Sequence, residues 1–343
     1  MPHSIRVASI QLDVTPAPTA ERLVRAEVIL RQAIEAEAEL AVLPELFNTG
    51  YAYNDDNYQR AETLDGVTVT WMKRMAHAQN LHLAGSLLLR EGGEIYNSLL
   101  IVAPDGQTWR YDKRYPFIWE RRYFRPGRGI SVAHTGLGEL GMLICIDSTH
   151  LNMWRKYAGK VDMMVIASCP PHTGDFTYHF PSGDTLTTES LGRMMLPMRQ
   201  AVPLAFTRLL EEQAGWMGVP VVNSVACGRF ESPVPDGRQT LSGMLLYNPS
   251  LRRYLPQAPG LHVSADMLEG CRVVGLDGKL LAERRQAEGE GMALAEAALP
   301  EHRQMPTTPQ PRLPMPQYAL WMSDLMALMQ RKAYRRGVRN KIA

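Results

Sequence analysis

Apolar residues along this chain recur at two spacings in turn, and the alternation outlines strands and helices. Ile5–Leu12 is a β-rich run, and Ala20–Ala38 repeats apolar side chains at helical spacing through Leu23, Val24, Val28, Leu30, Ala33 and Ile34. Thr19 stands where an N-cap is expected, with Glu21 in the first turn. Leu40–Leu43 reads as a short buried strand ending at Pro44-Glu45, Thr68–Gln79 as a second helix, and Leu81–Leu89 and Ile95–Val102 as strands. Pro104-Asp105-Gly106 predicts a hairpin turn into Thr108–Tyr111. After the irregular, aromatic and basic segment Tyr115–Gly129, the pattern predicts a strand at Gly141–Ile146, a short helix at Leu151–Tyr157 and a strand at Val161–Ala167. Cys169–Asp184, with three prolines and two glycines, reads as a loop. Helical spacing returns from about Glu189 to Ala214, where Pro197 and Pro203 predict a break or kink. Strands are expected at Val219–Ala226, Leu241–Tyr247, Val273–Leu276 and Met292–Ala295, with a tight turn at Asp277-Gly278.

Strands and helices interleaved in this way predict a layered α/β domain. Short turns between several strands make its sheets mixed, not purely parallel. No repeat of solenoid length is present. Five prolines between Pro306 and Pro316 mark a linker, and a short amphipathic helix follows with Trp321, Met322, Leu325 and Leu328 on one face. The expected organisation is a domain over residues 1–300, then a Pro-rich linker and helical basic tail over 301–343. The apolar stripe needs a partner surface, either the chain's own core or a second subunit.

Composition narrows the function classes. With 343 residues, 45% of them hydrophobic, the chain can bury a sizeable core. Its apolar runs are too short to span a bilayer, and its N-terminus has no leader pattern, so a cytoplasmic location without membrane contact is expected. Four scattered cysteines (145, 169, 227, 271) make neither a disulfide framework nor a Cys-based zinc site. The net charge of +2 conceals an asymmetry, because six Lys or Arg fall in Gln330–Ala343 and leave 31 basic against 35 acidic residues elsewhere. Such a body is no platform for nucleic acid. The basic tail reads as a solvated segment or a subunit contact.

Three strand ends carry candidate chemistry. In Leu43-Pro44-Glu45-Leu46-Phe47 an acid follows a buried strand in apolar surroundings, which should raise its pKa and suit it to general-base work near neutral pH. Tyr111-Asp112-Lys113 ends a strand in a lysine ahead of the aromatic loop. Leu143-Ile144-Cys145-Ile146-Asp147 puts a cysteine at a strand-to-helix turn, where backbone N–H groups can hold an oxyanion. Alone, each has an ordinary explanation, since a strand-end cysteine is usually core and a strand-end charge usually solvated.

Together they resemble the Glu-Lys-Cys triad of the carbon–nitrogen hydrolase (nitrilase) superfamily. The three residues stand in that order, 68 and 32 positions apart. LPELFNTGY (43–51), KRYPFIWERRYFRPG (113–127) and GMLICID (141–147) resemble the Glu, Lys and Cys motifs, and Val7–Gln11, VPVVNS (219–224) and GLDGKLLAE (275–283) the family's strands. The resemblance covers about residues 5–298. It implies an α-β-β-α sandwich, two mixed sheets face to face with helices outside, and no metal or organic cofactor. It also implies that Cys145 attacks the electrophilic carbon, Glu45 shuttles protons, Lys113 and a backbone N–H near Ile146 stabilise the oxyanion, and Glu120 holds the lysine. Tyr51, Trp119, Ile146 and Cys169 are expected at the substrate.

Against the family pattern, Arg114-Tyr115-Pro116 replaces the usual continuation of the Lys motif, and His150-Leu151-Asn152 replaces a Phe-Pro-Glu. Met153-Trp154-Arg155 partly resembles the carbamoyl-amino-acid hydrolases, whereas the Trp-Glu of nitrile-hydrolysing members is absent. Asp147 tilts the expectation to an amide or N-carbamoyl substrate cleaved through a thioester. A nitrilase and a catalytically degenerate scaffold are the alternatives. His150, His172 and His179 with Asp175 fit no zinc spacing. A homodimer or higher homo-oligomer is expected, with an aromatic pocket suited to an apolar amide.

Overall fold

The computed structural model describes residues 3–192, 195–245 and 248–341, and within it the two spacings become alternating strands and helices. The first half supplies β1 (Ser4–Gln11), α1 (Thr19–Glu35), β2 (Leu40–Val42), α2 (Asp56–Gln59), α3 (Val67–Gln79), β3 (His82–Glu91), β4 (Glu94–Val102) and β5 (Thr108–Asp112). There follow β6 (Val132–Thr135), β7 (Gly138–Ile144), α4 (Leu151–Tyr157), β8 (Met163–Ser168), β9 (Thr177–His179), β10 (Thr185–Thr187), α5 (Leu196–Phe206) and α6 (Arg208–Met217). The remainder is β11 (Val221–Val225), β12 (Arg229–Pro233), α7 (Gly237–Met244), β13 (His262–Asp266), β14 (Cys271–Val274), β15 (Leu280–Arg284), β16 (Gly291–Ala298), α8 (Gln317–Met329) and α9 (Arg331–Lys341).

Two six-stranded sheets, ordered β16-β1-β2-β3-β4-β5 and β15-β14-β11-β8-β7-β6, carry the fold. Each has a parallel centre, β1–β2–β3 or β7–β8–β11, with antiparallel strands outside it. Val7, Val42 and Ile101 of the first sheet join Met142, Val165 and Val222 of the second in one buried cluster. Two hydroxyls stitch the facing strands, Ser9 donating to the Asn223 carbonyl at 2.6 Å and Ser224 to that of Ile10. Leu23 and Leu30 of α1 and Val69 and Met72 of α3 cover the outer face of the first sheet. Trp154 and Tyr157 of α4 and Leu210 of α6 join the cluster of the second. At about 1.5–3 kcal/mol per fully buried aliphatic or aromatic side chain, these layers hold the strand ends in place. The expected α-β-β-α sandwich with mixed sheets is the fold observed.

Local departures from the expected elements have physical causes. Thr19 is the first helical residue of α1, and Pro18, extended and without a side-chain acceptor, occupies the cap. The segment Cys169–Asp184 contains β9, which joins β10, β12 and β13 in a small third sheet. Leu241–Tyr247 is not a strand: Thr240, Leu241 and Met244 form the buried face of α7 at helical spacing, and residues 246 and 247 lie outside the described chain. The helical stretch expected after Glu189 divides into α5 and α6 at Thr207, with Pro203 inside α5. The tail folds back on the body. Tyr334 of α9 accepts from the Ile95 N–H at 3.0 Å, donates to Glu94 at 2.5 Å and lies under Arg121.

Candidate active site

The site begins where β7 runs out. Cys145 follows Ile144 directly and adopts φ +49°, a left-handed conformation costly for a residue with a side chain, before a one-turn helix over Cys145–Thr149 reverses the chain. The strand expected to reach Ile146 therefore stops two residues early. Hydroxyls hold the turn, Ser148 donating to the Cys145 carbonyl and Thr149 to that of Ile146, each at 2.8 Å. Asp147, wholly buried, accepts from the Tyr111 hydroxyl at 2.7 Å and from the N–H groups of Arg114 and Tyr115 at 3.1 and 2.8 Å. It fastens the Cys turn to the Lys segment and does not line the cavity.

That fastening brings Lys113 to the end of β5. Gly127 is needed beside it, because a Cβ there would lie 2.2 Å from the Asp112 carbonyl oxygen. Lys113 Nζ donates to Glu45 at 2.7 Å and to Glu120 at 2.8–2.9 Å, and all three side chains are buried. Glu120 also accepts from the Tyr51 hydroxyl and, at 2.6 Å, from the Phe117 N–H. Glu45 Oε1 accepts from Asn97 Nδ2 at 2.7 Å, and Asn97 in turn accepts from Ser86 at 2.8 Å. Glu45 Oε2 has no hydrogen-bond partner. Two carboxylates and one ammonium in a dry space do not all stay charged at ordinary pKa values. Burial, with the Glu120 charge added, raises Glu45 to about 7 against the opposing pull of Lys113. Lys113 is held well above its ordinary value because Glu120 and Glu45 outweigh its own burial. Burial and the Glu45 charge push the Cys145 thiol up in turn.

A cavity of about 370 Å³ opens on this cluster. Cys145 and Glu120 line it, together with all four expected substrate residues, Tyr51, Trp119, Ile146 and Cys169. Glu45 and Lys113 stand behind that lining. Among the described residues no group of three or more His, Cys, Asp or Glu is placed to hold a metal ion. His150 stacks on Tyr115 with centroids 3.6 Å apart, and His179 Nε2 meets the Ser264 hydroxyl at 2.8 Å.

Sequence reasoning missed Asn97 and the tail's part in the cavity. Asn97 had a visible signal, a polar residue in register with Ile95, Leu99 and Ile101 on a strand where every second position is apolar. For the tail the signal was the apolar stripe, of which Met322 and Leu325 line the cavity, with Ala319, Leu320, Met326 and Met329 of α8 completing one wall.

The sequence model described as Carbon-nitrogen hydrolase matches residues 6–191, more than half of the chain. The chain belongs to the carbon–nitrogen hydrolase family. Among its relatives in that family, a nitrilase of Pyrococcus abyssi is 29% identical over 147 residues, which are 42% of this chain and 56% of the relative. A 2-oxoglutaramate amidase of Bacillus subtilis is 27% identical over 159 residues, 45% and 60% of the two chains. The match thus spans less than two thirds of either relative. An amidase from Nesterenkonia sp. AN1, solved with butyramide, shares the fold at a TM-score of 0.60 and 19% identity, over 86% of this carbon–nitrogen hydrolase and 91% of that chain. No helix among the described residues is long and apolar enough to cross a membrane.

Proposed function

We propose that this carbon–nitrogen hydrolase cleaves the C–N bond of a small amide or N-carbamoyl compound through a thioester on Cys145. The observation that carries the proposal is a thiol opening on an apolar cavity, backed by a buried carboxylate with one unpaired oxygen and a raised pKa. Cys145 Sγ bonds to the carbonyl carbon as its proton passes to Glu45 Oε2. Lys113 and the Ile146 N–H, in the first turn of the short helix where backbone donors have no partner within the helix, stabilise the oxyanion. Glu45 then gives its proton to the nitrogen, the C–N bond breaks and ammonia or an amine leaves. Water attacks the thioester, loses a proton to Glu45 and releases the acid, and that proton returns to the Cys145 sulfur. Glu120 holds Lys113 charged and in place.

The proposed enzyme acts without cofactor in the cytoplasm. Within the tail, Met315–Gln330 completes the cavity and, through the exposed Trp321, Leu325 and Leu328, pairs it with a second copy. Ammonia release from amides and ureides, with matched nitriles as controls, tests the reaction, and intact mass after a substrate pulse should show one acyl adduct on Cys145. Acid formed from nitriles alone would assign a nitrilase. Sedimentation with and without residues 313–343 tests the pairing.

A further inference from the structure

The α8 wall says what this cavity is built to hold. The space that Cys145 and Glu120 line is also lined by Trp119, Phe176 and Phe206 and, from α8, by Leu320, Met326 and Met329. Glu120 is the one charged side chain lining it among the described residues, and its oxygens are already taken by Lys113, Tyr51 and the Phe117 N–H. Of the lining residues, Gln330 alone has a buried side-chain oxygen without a partner, so an unused polar contact at the α8–α9 junction is neutral as well.

A substrate carboxylate would lose its hydration in this cavity and meet no cation among the described residues. It would also face the net negative charge of Glu45, Lys113 and Glu120. An alkyl chain or aryl ring would displace water from an apolar surface and meet methionines, whose unbranched side chains adapt to irregular shapes. Resting on the hydrolase reading, we infer that the acyl group of the substrate is an uncharged extended chain or ring seated against α8, and that α8 excludes acyl groups ending in a carboxylate.

The test is ammonia release by the full chain from acetamide, butanamide, hexanamide, octanamide, 4-phenylbutanamide and glutaramate, the last close to hexanamide in reach but ending in a carboxylate. Each added methylene should raise kcat/KM about threefold to fourfold until the chamber is full. Hexanamide should exceed glutaramate by about a hundredfold or more, the scale set by an unpaired charge in a dry pocket, and octanamide and 4-phenylbutanamide should exceed it further. Met326→Arg, which puts a cation on the wall, should lower the octanamide-to-glutaramate ratio by about tenfold or more. Ala319→Trp, which adds bulk without charge, should lower the octanamide-to-acetamide ratio should the arginine variant fail to fold. Calorimetry with Cys145→Ala gives the binding preference independently of turnover. Ammonia released preferentially from glutaramate or acetamide overturns the inference and leaves the hydrolase reading standing. Preferential binding of octanamide by Cys145→Ala, with no ammonia released by the unmodified chain from any amide or ureide, supports the selectivity of the chamber and removes the hydrolase reading. Equal binding of octanamide and glutaramate overturns the inference.

Discussion

The floor and the wall of the cavity are built on opposite principles. At the floor, Glu45, Lys113, Glu120 and Cys145 come from three separate segments, and every carboxylate oxygen but one is claimed by a donor. At the wall, α8 contributes Ala319, Leu320, Met326 and Met329, whose side chains carry no hydrogen-bonding group that could fix their rotamers. The floor sets atoms to the precision that bond-making needs. The wall sets only a shape and a polarity. Changes at the floor should therefore scale turnover for every substrate alike, and changes at the wall should reorder substrates.

The sharpest way to break this contrast is Cys145→Ala, which should lower turnover by roughly 10⁴-fold or more for every amide, since no thioester can form. Glu45→Gln should cost about 10²–10⁴-fold in kcat, again uniformly, because the thiol proton loses its acceptor. A substrate spared by either variant would mean that the floor is not common to all reactions. Lys113→Met tests the floor as structure. It leaves two carboxylates buried without their cation and should lower unfolding free energy by about 3–5 kcal/mol, read from the denaturant midpoint.

A smaller effect concerns pH. The carboxylate of Glu45 must be ionised to accept the thiol proton, so kcat/KM should rise with pH through an apparent pKa near 7, not near 4.5. Glu120 raises Glu45, so Glu120→Gln should move this acid limb to lower pH while reducing the rate. Movement to higher pH would contradict the repulsion between the two carboxylates. Tyr334→Phe tests the wall's anchorage and should cost about 1 kcal/mol. Amide exchange should quicken over residues 317–341 and stay unchanged over 141–149.

The same contrast explains what was legible beforehand. The sandwich could be read because β1, β4 and β8 are long enough to show their pattern, and the floor because Glu45, Lys113 and Cys145 stand at strand ends in recognisable motifs. β9, β10 and β12 are three to five residues long, too short for a period to show. α7 was mistaken because Leu241 and Met244–Leu245 sit in an apolar run short enough to pass for a strand. For α8 the apolar stripe was visible at Trp321, Met322, Leu325 and Leu328; Met322 and Leu325 line the cavity, Trp321 and Leu328 are largely exposed, and Ser323 and Ala327 are buried. A sequence reports that a helix has an apolar side, not which of two surfaces claims it.

The lifted pKa of Cys145 has a further consequence, for durability. Oxidation by peroxide proceeds through the thiolate, and this sulfur is kept protonated by burial and by a carboxylate neighbour. As the nucleophile proposed above, it should react with peroxide more slowly than a preformed thiolate does, which the rate of activity loss in dilute peroxide would check.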